Sequence, residues 1–258
     1  MTDGPERIVC LSAEAADWLW RIRAWDRVVG VTTFFAQPAD VVPKPRVSGF
    51  STARLGEIVE LHPDLVITFS DVQASSSSDL IKAGLPVLAT NQRTLAEIES
   101  TLRLIGRAVG RESESEELLA QFRRRLAPIG PVDHRKRVYF EEWPEPFIAG
   151  IAWVSELIER AGGEDIFARF RSQRSALQRV VTSEQVLASA PDVIVASWCG
   201  KPVQTTAIVS RSGWTELAAV RDGRVFEISS DDILQPGFRL VHGYERLKEL
   251  MGTGGPGL

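Results

Sequence analysis

Residues 112–126, ESESEELLAQFRRRL, read as one uninterrupted helix. Acidic side chains crowd its start, and Arg123, Arg124 and Arg125 close it, the order that the helix dipole favours. Leu118, Leu119, Phe122 and Leu126 recur at helical spacing and make one apolar stripe. Gly110 ahead of it and Pro128, Gly130 and Pro131 behind it punctuate both ends. The sequence on its two sides plays one theme twice, which makes this helix the connector of the fold.

Ahead of the helix, the short apolar run Arg7-Ile8-Val9-Cys10-Leu11-Ser12 follows a basic residue; behind it, Arg137-Val138-Tyr139-Phe140-Glu141-Glu142 repeats the pattern. Ile58 to Ile67, IVELHPDLVI, has its counterpart at nearly the same offset in Val186 to Val195, VLASAPDVIV. Each half reads as strand, helix, loop, helix, then a Pro-Asp turn into a strand. Apolar runs of this length bounded by turn residues suit strands covered on both faces, as in parallel sheets. The expectation is a duplicated α/β lobe, with 1–111 as the first lobe, 112–127 as the connecting helix and 128–258 as the second. The competing reading is that a Pro-Asp joint is common to any α/β protein.

Of the 258 residues, 44% are hydrophobic and 25% charged, ordinary for a globular chain. A net charge of −4 argues against a broad nucleic-acid surface. No apolar run approaches the roughly 20 residues needed to span a membrane. The opening Met1 to Glu6 is polar and acidic, without the basic and apolar regions of a leader. As given, the chain reads as cytoplasmic, or as extracytoplasmic with a leader removed. Cys10 and Cys199 fall in different halves and are expected free.

The chain holds 7 Trp against 2 Tyr and 2 Met. Trp18, Trp20 and Trp25 fall in a first helix, Ala13 to Trp25, capped by Ser12. Trp143 and Trp198 directly follow expected strands. Phe34 and Phe35 open an irregular proline-rich segment, where two adjacent aromatics cannot both face a core; either one anchors the loop or one faces a ligand. Phe50 and Phe69 also follow strands, and Ser70-Asp71 leads into the serine run Ser75 to Ser78, read as a solvated start to a helix. In the second half, Trp143 to Phe147 carries two prolines and reads as an extended loop. Arg169 to Arg179 is basic and loop-like, Ser183 caps the next helix, Ser230 to Pro236 is a loop, and Gly237 to Met251 is the closing helix. The tail from Gly252 to Leu258 reads as disordered.

Familiar catalytic motifs are missing or misplaced. Gly252, Gly254 and Gly257 spell G-x-G-x-x-G in a tail with no strand before it or helix after it, so the match carries nothing. The three histidines, His62, His134 and His242, lie in expected turns or helix ends, which gives no transition-metal site. Glu141 and Glu142 end a strand, where open α/β sheets place ligands. They read as a solvated strand end, as ligand hydrogen-bonding groups or, least, as acid–base catalysts. Phe34, Phe35, Phe50, Phe69, Trp143 and Trp198, with the acids Asp71 and Asp231 and the loop residues Leu234, Gln235 and Pro236, outline an aromatic, apolar cleft between lobes. Such a cleft suits a large, flat ligand bearing amide or amine groups.

Several of these stretches carry a resemblance. Arg7-Ile8-Val9-Cys10-Leu11-Ser12, Pro63-Asp64-Leu65-Val66-Ile67, Ala161-Gly162-Gly163-Glu164-Asp165-Ile166-Phe167, Pro191-Asp192-Val193-Ile194-Val195, Trp198-Cys199-Gly200 and Trp214 through Val225 resemble the cobalamin-binding, periplasmic-type solute-binding proteins of ABC importers. The likeness covers Arg7 to Met251. It implies two Rossmann-like lobes joined by one rigid helix, with a corrinoid held between them and no resident cofactor. It further implies a non-enzymatic monomer with an ABC permease as partner. Docking in that family uses one acidic residue on each lobe. Glu216 matches the second-lobe position; at the first, this chain has Gly56 with Glu57 beside it. The wider group also binds ferric siderophores and haem. Arg174, Arg179 and Lys201 keep a siderophore open, and a cytoplasmic corrinoid-handling protein or enzyme with Glu141 and Glu142 as its acids is the third reading.

Overall fold

The computed structural model describes residues 4–49 and 51–253, so Phe50 and the tail from 254 lie outside the described residues. The chain divides into two compact units, Met1–Arg123 and Arg124–Leu258.

The first unit contains β1 (Ile8–Cys10), α1 (Ala13–Arg21), β2 (Val28–Thr32), β3 (Arg46–Ser48), α2 (Leu55–Glu60), β4 (Leu65–Phe69), α3 (Ala74–Lys82), β5 (Val87–Thr90), α4 (Leu95–Ala108) and most of α5 (Glu112–Arg125). Its five strands are all parallel, in the order β3-β2-β1-β4-β5. Val9, Leu11, Val47, Ile58, Val66 and Leu80 form a buried cluster against this sheet. The helix expected from residues 112–126 is α5, and the division between units falls inside its last turn. Thr94 caps α4 through a reciprocal bond with Glu97, and Leu95, Ile98, Leu102 and Ile105 are its buried face. A Cβ at Gly106 would come within 2.4 Å of Ser115, so this glycine lets α4 and α5 approach closely.

Two local expectations change here. Helix α1 stops at Arg21 rather than Trp25, because Arg23 adopts a left-handed φ of 59° and turns the chain. The serine run lies inside α3, where Ser77 is buried and bonds to Thr68 and to the Gln73 carbonyl.

The second unit contains β6 (Arg137–Pro144), β7 (Phe147–Ala149), α6 (Ala152–Arg160), β8 (Glu164–Asp165), α7 (Ser183–Ala188), β9 (Val193–Ala196), α8 (Thr205–Val209), α9 (Ala218–Arg221), β10 (Val225–Glu227), α10 (Ser230–Ile233) and α11 (Leu240–Met251). Strands run β10-β9-β6-β7, with β7 antiparallel and β8 pairing parallel to β6. The segment from Trp143 is therefore a hairpin rather than an open loop: β6 runs on through Pro144, which sits opposite Phe147 across a tight turn. Thr182, not Ser183, caps α7, through Gln185. Ser230–Ile233 forms one helical turn, and α11 starts at Leu240 rather than Gly237.

The repeated theme has a structural counterpart. Asp64 accepts the N–H groups of Glu6 and Arg7 at 2.7 and 2.9 Å and donates its own N–H to the Arg7 carbonyl. Asp192 accepts the Arg137 N–H at 2.8 Å and donates to the Arg137 carbonyl. Ahead of each Pro-Asp, His62 and Ala190 hold the same left-handed backbone, at φ 47° and 41°. Each Pro-Asp thus fastens its strand to the central strand of its own sheet. Cys10 and Cys199 are both free. Among the described residues no helix is long and apolar enough to cross a membrane.

Candidate ligand-binding face at the strand ends

In the second unit, chemistry gathers where β6 and β9 end. Residues two apart share a face of a strand, so Tyr139 and Glu141 point the same way. Glu141 is fully buried, which corrects both expectations for it, the solvated strand end and the open ligand hydrogen-bonding group. It accepts from Arg211 through both Nη atoms at 2.5 and 2.9 Å, from the Tyr139 hydroxyl at 3.2 Å and from the Trp198 indole N–H at 3.1 Å. Four donors satisfy a carboxylate that burial would otherwise penalise heavily. Burial first, and the Glu141 charge second, push the Tyr139 phenol well above its ordinary range.

Trp198 is only 6% exposed and packs into the core with Tyr139, Phe167 and Trp214. It supports the face from beneath and is not the open ring expected. Trp143 is half-buried, donates its indole N–H to the Glu145 carbonyl at 2.9 Å, and carries the Lys201 ammonium 3.9 Å from its ring centroid. Lys201 is placed by a turn after β9 in which its N–H reaches the Trp198 carbonyl at 3.1 Å and Gly200 takes φ 71°, a conformation natural to glycine.

Glu142 pairs with Arg179 at 2.5 and 3.0 Å, and Arg179 also donates to the Ala149 carbonyl. At 1% exposure Arg179 is an internal strut, not the ligand-reaching base expected of the basic segment. Cys199 shows that three elements meet here: its thiol is pushed up to about 11, by burial first, then by the Glu142 and Asp231 carboxylates. Asp231 lies on α10 and accepts from the Gln235 amide at 2.9 Å. Leu234 and Gln235 are half-buried, whereas Pro236 is buried and packs inward. A Cβ on Gly243 would lie 2.4 Å from the Asp232 carbonyl, so α11 seats directly on α10 and fixes its height. The Trp153 indole N–H, 2.9 Å from the Ile233 carbonyl, fixes it from α6.

The first unit has its own cluster. The structure separates the two adjacent phenylalanines: Phe35 is 4% exposed and packs 5.6 Å from the Trp25 ring, while Phe34 is 38% exposed. Phe69 is half-buried beneath the Arg93 guanidinium, 5.3 Å from its centroid, and the same guanidinium donates to Asp71 at 2.9 Å. Gln73 ties β1 to β4, accepting the Phe69 N–H at 3.0 Å and donating to the Leu11 carbonyl at 2.9 Å. A cavity of about 460 Å³ lies between α3 and β5, lined among others by Ser70, Asp71, Ser77, Ile81 and Thr90.

Beneath this cluster Glu14 is buried, with the Gln92 amide 3.5 Å away. Desolvation raises its pKa to about 7, only partly opposed by its own backbone N–H, Ser12 and Arg93. A carboxyl raised from 4.5 binds its proton more tightly folded than unfolded. Its stabilising contribution is full below about pH 4.5 and is lost as pH rises through about 7. Glu14→Gln should therefore stabilise the protein more at pH 8 than at pH 5, as read by urea denaturation at the two pH values; an equal effect at both would refute the assignment.

Arg93 and Arg211, the partners of Asp71 and Glu141, are residues that sequence reading missed. Neither belongs to a motif; the available signal was that acids at strand ends of a parallel sheet need basic partners from neighbouring loops. Glu57, on α2, is exposed and pairs with Arg54 at 3.1 Å, and Glu216 is exposed on the turn Trp214–Glu216. Tyr244 is buried with its hydroxyl on the Ala127 and Arg160 carbonyls. Among the described residues no group of three or more His, Cys, Asp or Glu side chains could hold a metal ion.

Two α/β units, each with a mainly parallel sheet and loops at its strand ends, are an architecture in which ligands bind beyond the strand ends. The family model described as periplasmic binding protein matches residues 8–231, and the chain belongs to that family. It is 29% identical to an ABC transporter substrate-binding lipoprotein of Bacillus subtilis, over 95% of this chain and 79% of that one. It is 28% identical to a cobalamin-binding protein of Halobacterium salinarum, over 94% of this chain and 68% of the relative. A periplasmic haem-binding protein of Pseudomonas aeruginosa superposes with a TM-score of 0.80 at 19% identity, covering 98% of this chain and 95% of that one, which shows the shared fold.

Proposed function

We propose that this chain is the substrate-binding component of an ABC-type uptake system and that its ligand is a corrinoid. One observation carries the choice of ligand. The strand-end groups are aromatic rings, amides and largely neutralised carboxylates, and both tyrosines are buried with their hydroxyls engaged by the protein. Haem usually takes an axial ligand such as tyrosine or histidine from its protein, whereas the cobalt of a corrinoid can arrive with its own. The cobalamin-binding relative of Halobacterium salinarum supports the same choice. Phe34, Phe69 and Asp71 of the first unit, and Glu142, Trp143, Asp231, Leu234 and Gln235 of the second, are the groups assigned to the ligand. Glu57 and Glu216 are the acids assigned to a permease.

Calorimetric titration with cobalamin, cobinamide, haem and a ferric hydroxamate tests this reading. Heat from the two corrinoids is the expected result; heat from haem alone would transfer the assignment to haem. Trp143→Ala removes both a ring of the proposed face and the seat of Lys201, and should weaken corrinoid binding by about 1–3 kcal/mol. Unchanged affinity in that variant would mean the ligand lies elsewhere.

A further inference from the structure

Charge pairing at the second unit's strand ends, among the described residues, does not reach Lys201. Glu141 is matched by Arg211, Glu142 by Arg179, and Asp232 by Arg239 at 2.7 Å. Lys201 is exposed, and among the described residues no carboxylate stands within ion-pair distance of its ammonium. Its position is nonetheless defined. The backbone turn onto Trp198 fixes its Cα, and the Trp143 ring holds the ammonium 3.9 Å from its centroid. A long lysine side chain in water samples many rotamers, so resting on a ring restricts where the charge stands before any ligand arrives. The ring itself stays in place because its N–H is bonded to the Glu145 carbonyl.

We infer that Lys201 reads an anionic group at the periphery of the ligand. The inference rests on the corrinoid reading and sharpens it: of the corrinoids, the preferred one carries a phosphodiester. An ammonium has donors left over when one side of it faces a ring, and an oxyanion is the partner they suit. Cobalamin has a phosphodiester in its nucleotide loop, whereas cobinamide has the same corrin ring and amide side chains without it. The pair isolates the one group in question.

The experiment is calorimetric titration of wild type, Lys201→Met and Lys201→Arg with cobalamin and with cobinamide, at two ionic strengths, with folding checked by circular dichroism. Lys201→Met should bind cobalamin about tenfold more weakly, the scale of one charge-assisted hydrogen bond, and bind cobinamide within about twofold of wild type. Lys201→Arg should retain most of the cobalamin affinity. Added salt should weaken cobalamin binding by wild type more than by Lys201→Met. Equal losses for both ligands would assign Lys201 to holding Trp143 and overturn the inference, as would no loss for either. If wild type binds neither corrinoid, the corrinoid reading itself fails, a result distinct from these two.

Discussion

Arg211→Met is expected to lower folding stability by about 3–5 kcal/mol, because it leaves the Glu141 carboxylate buried without its counter-charge. Glu141 has no solvent exposure, and its remaining donors, the Tyr139 hydroxyl and the Trp198 indole N–H, are neutral. Arg211 also stacks on two rings, its guanidinium carbon 4.2 Å from the Phe147 centroid and 4.5 Å from that of Trp214. Methionine keeps much of that apolar contact, so the loss isolates the charge. Glu141→Gln should cost less, since Arg211 is partly exposed and reaches water while the amide still accepts hydrogen bonds. The double variant should recover a good part of the Arg211→Met loss, because no unpaired charge then remains inside. Urea denaturation of the three variants checks the order. A loss below about 1 kcal/mol in Arg211→Met would show that the pair is not what holds this strand end.

Why the sequence revealed the fold and only part of the site is visible at these same residues. Parallel strands bury both faces, so Val66-Ile67 and Val193-Ile194-Val195 stand out as apolar runs, and a Pro-Asp joint ahead of each marks where it starts. Helix α5 was legible because its stripe and its terminal charges are local properties. The caps and helix ends were less so: whether Thr182 or Ser183 caps α7, or where α1 stops, depends on backbone angles that neighbouring residues compete to set.

Site residues divide along another line. Position near a strand end is readable: Phe69 closes β4 and Trp143 lies next to the end of β6, while Asp231 sits on α10, beyond β10. Accessibility is not, because it is settled by partners far along the chain. Glu141 is buried because Arg211 covers it, and Arg179 is buried because Glu142 and the Ala149 carbonyl take it in. Phe34 and Phe35 are equivalent in sequence, and it is Phe35 that turns inward, against the Trp25 ring. Arg179 therefore reads as a ligand contact from sequence and proves to be a strut in the fold. Lys201 differs, since the ring beneath it carries no charge that could neutralise it.

Trp214→Ala should be as damaging as Arg211→Met, about 3–5 kcal/mol, through loss of packing rather than of charge. Trp214 is fully buried, edge-on to Tyr139 at 6.0 Å and to Phe147 at 5.8 Å, and its indole N–H donates to the Ser183 hydroxyl at 2.7 Å. One side chain thus connects the central strand β6, the hairpin strand β7 and the start of α7. Alanine would leave a cavity against the Arg211 guanidinium as well as the rings, and cost rises with the volume left unfilled. Trp214→Phe keeps an aromatic ring and loses the bond to Ser183, so it should cost only about 1 kcal/mol beyond any repacking. Because Trp214 belongs to the second unit, its loss should appear selectively in amide exchange. Protection should fall in β6 and β9 and stay near wild type in β1 and β4. Equal loss of protection in all four strands would mean that the two units open together, and that the loosening of one face cannot be studied apart from the other.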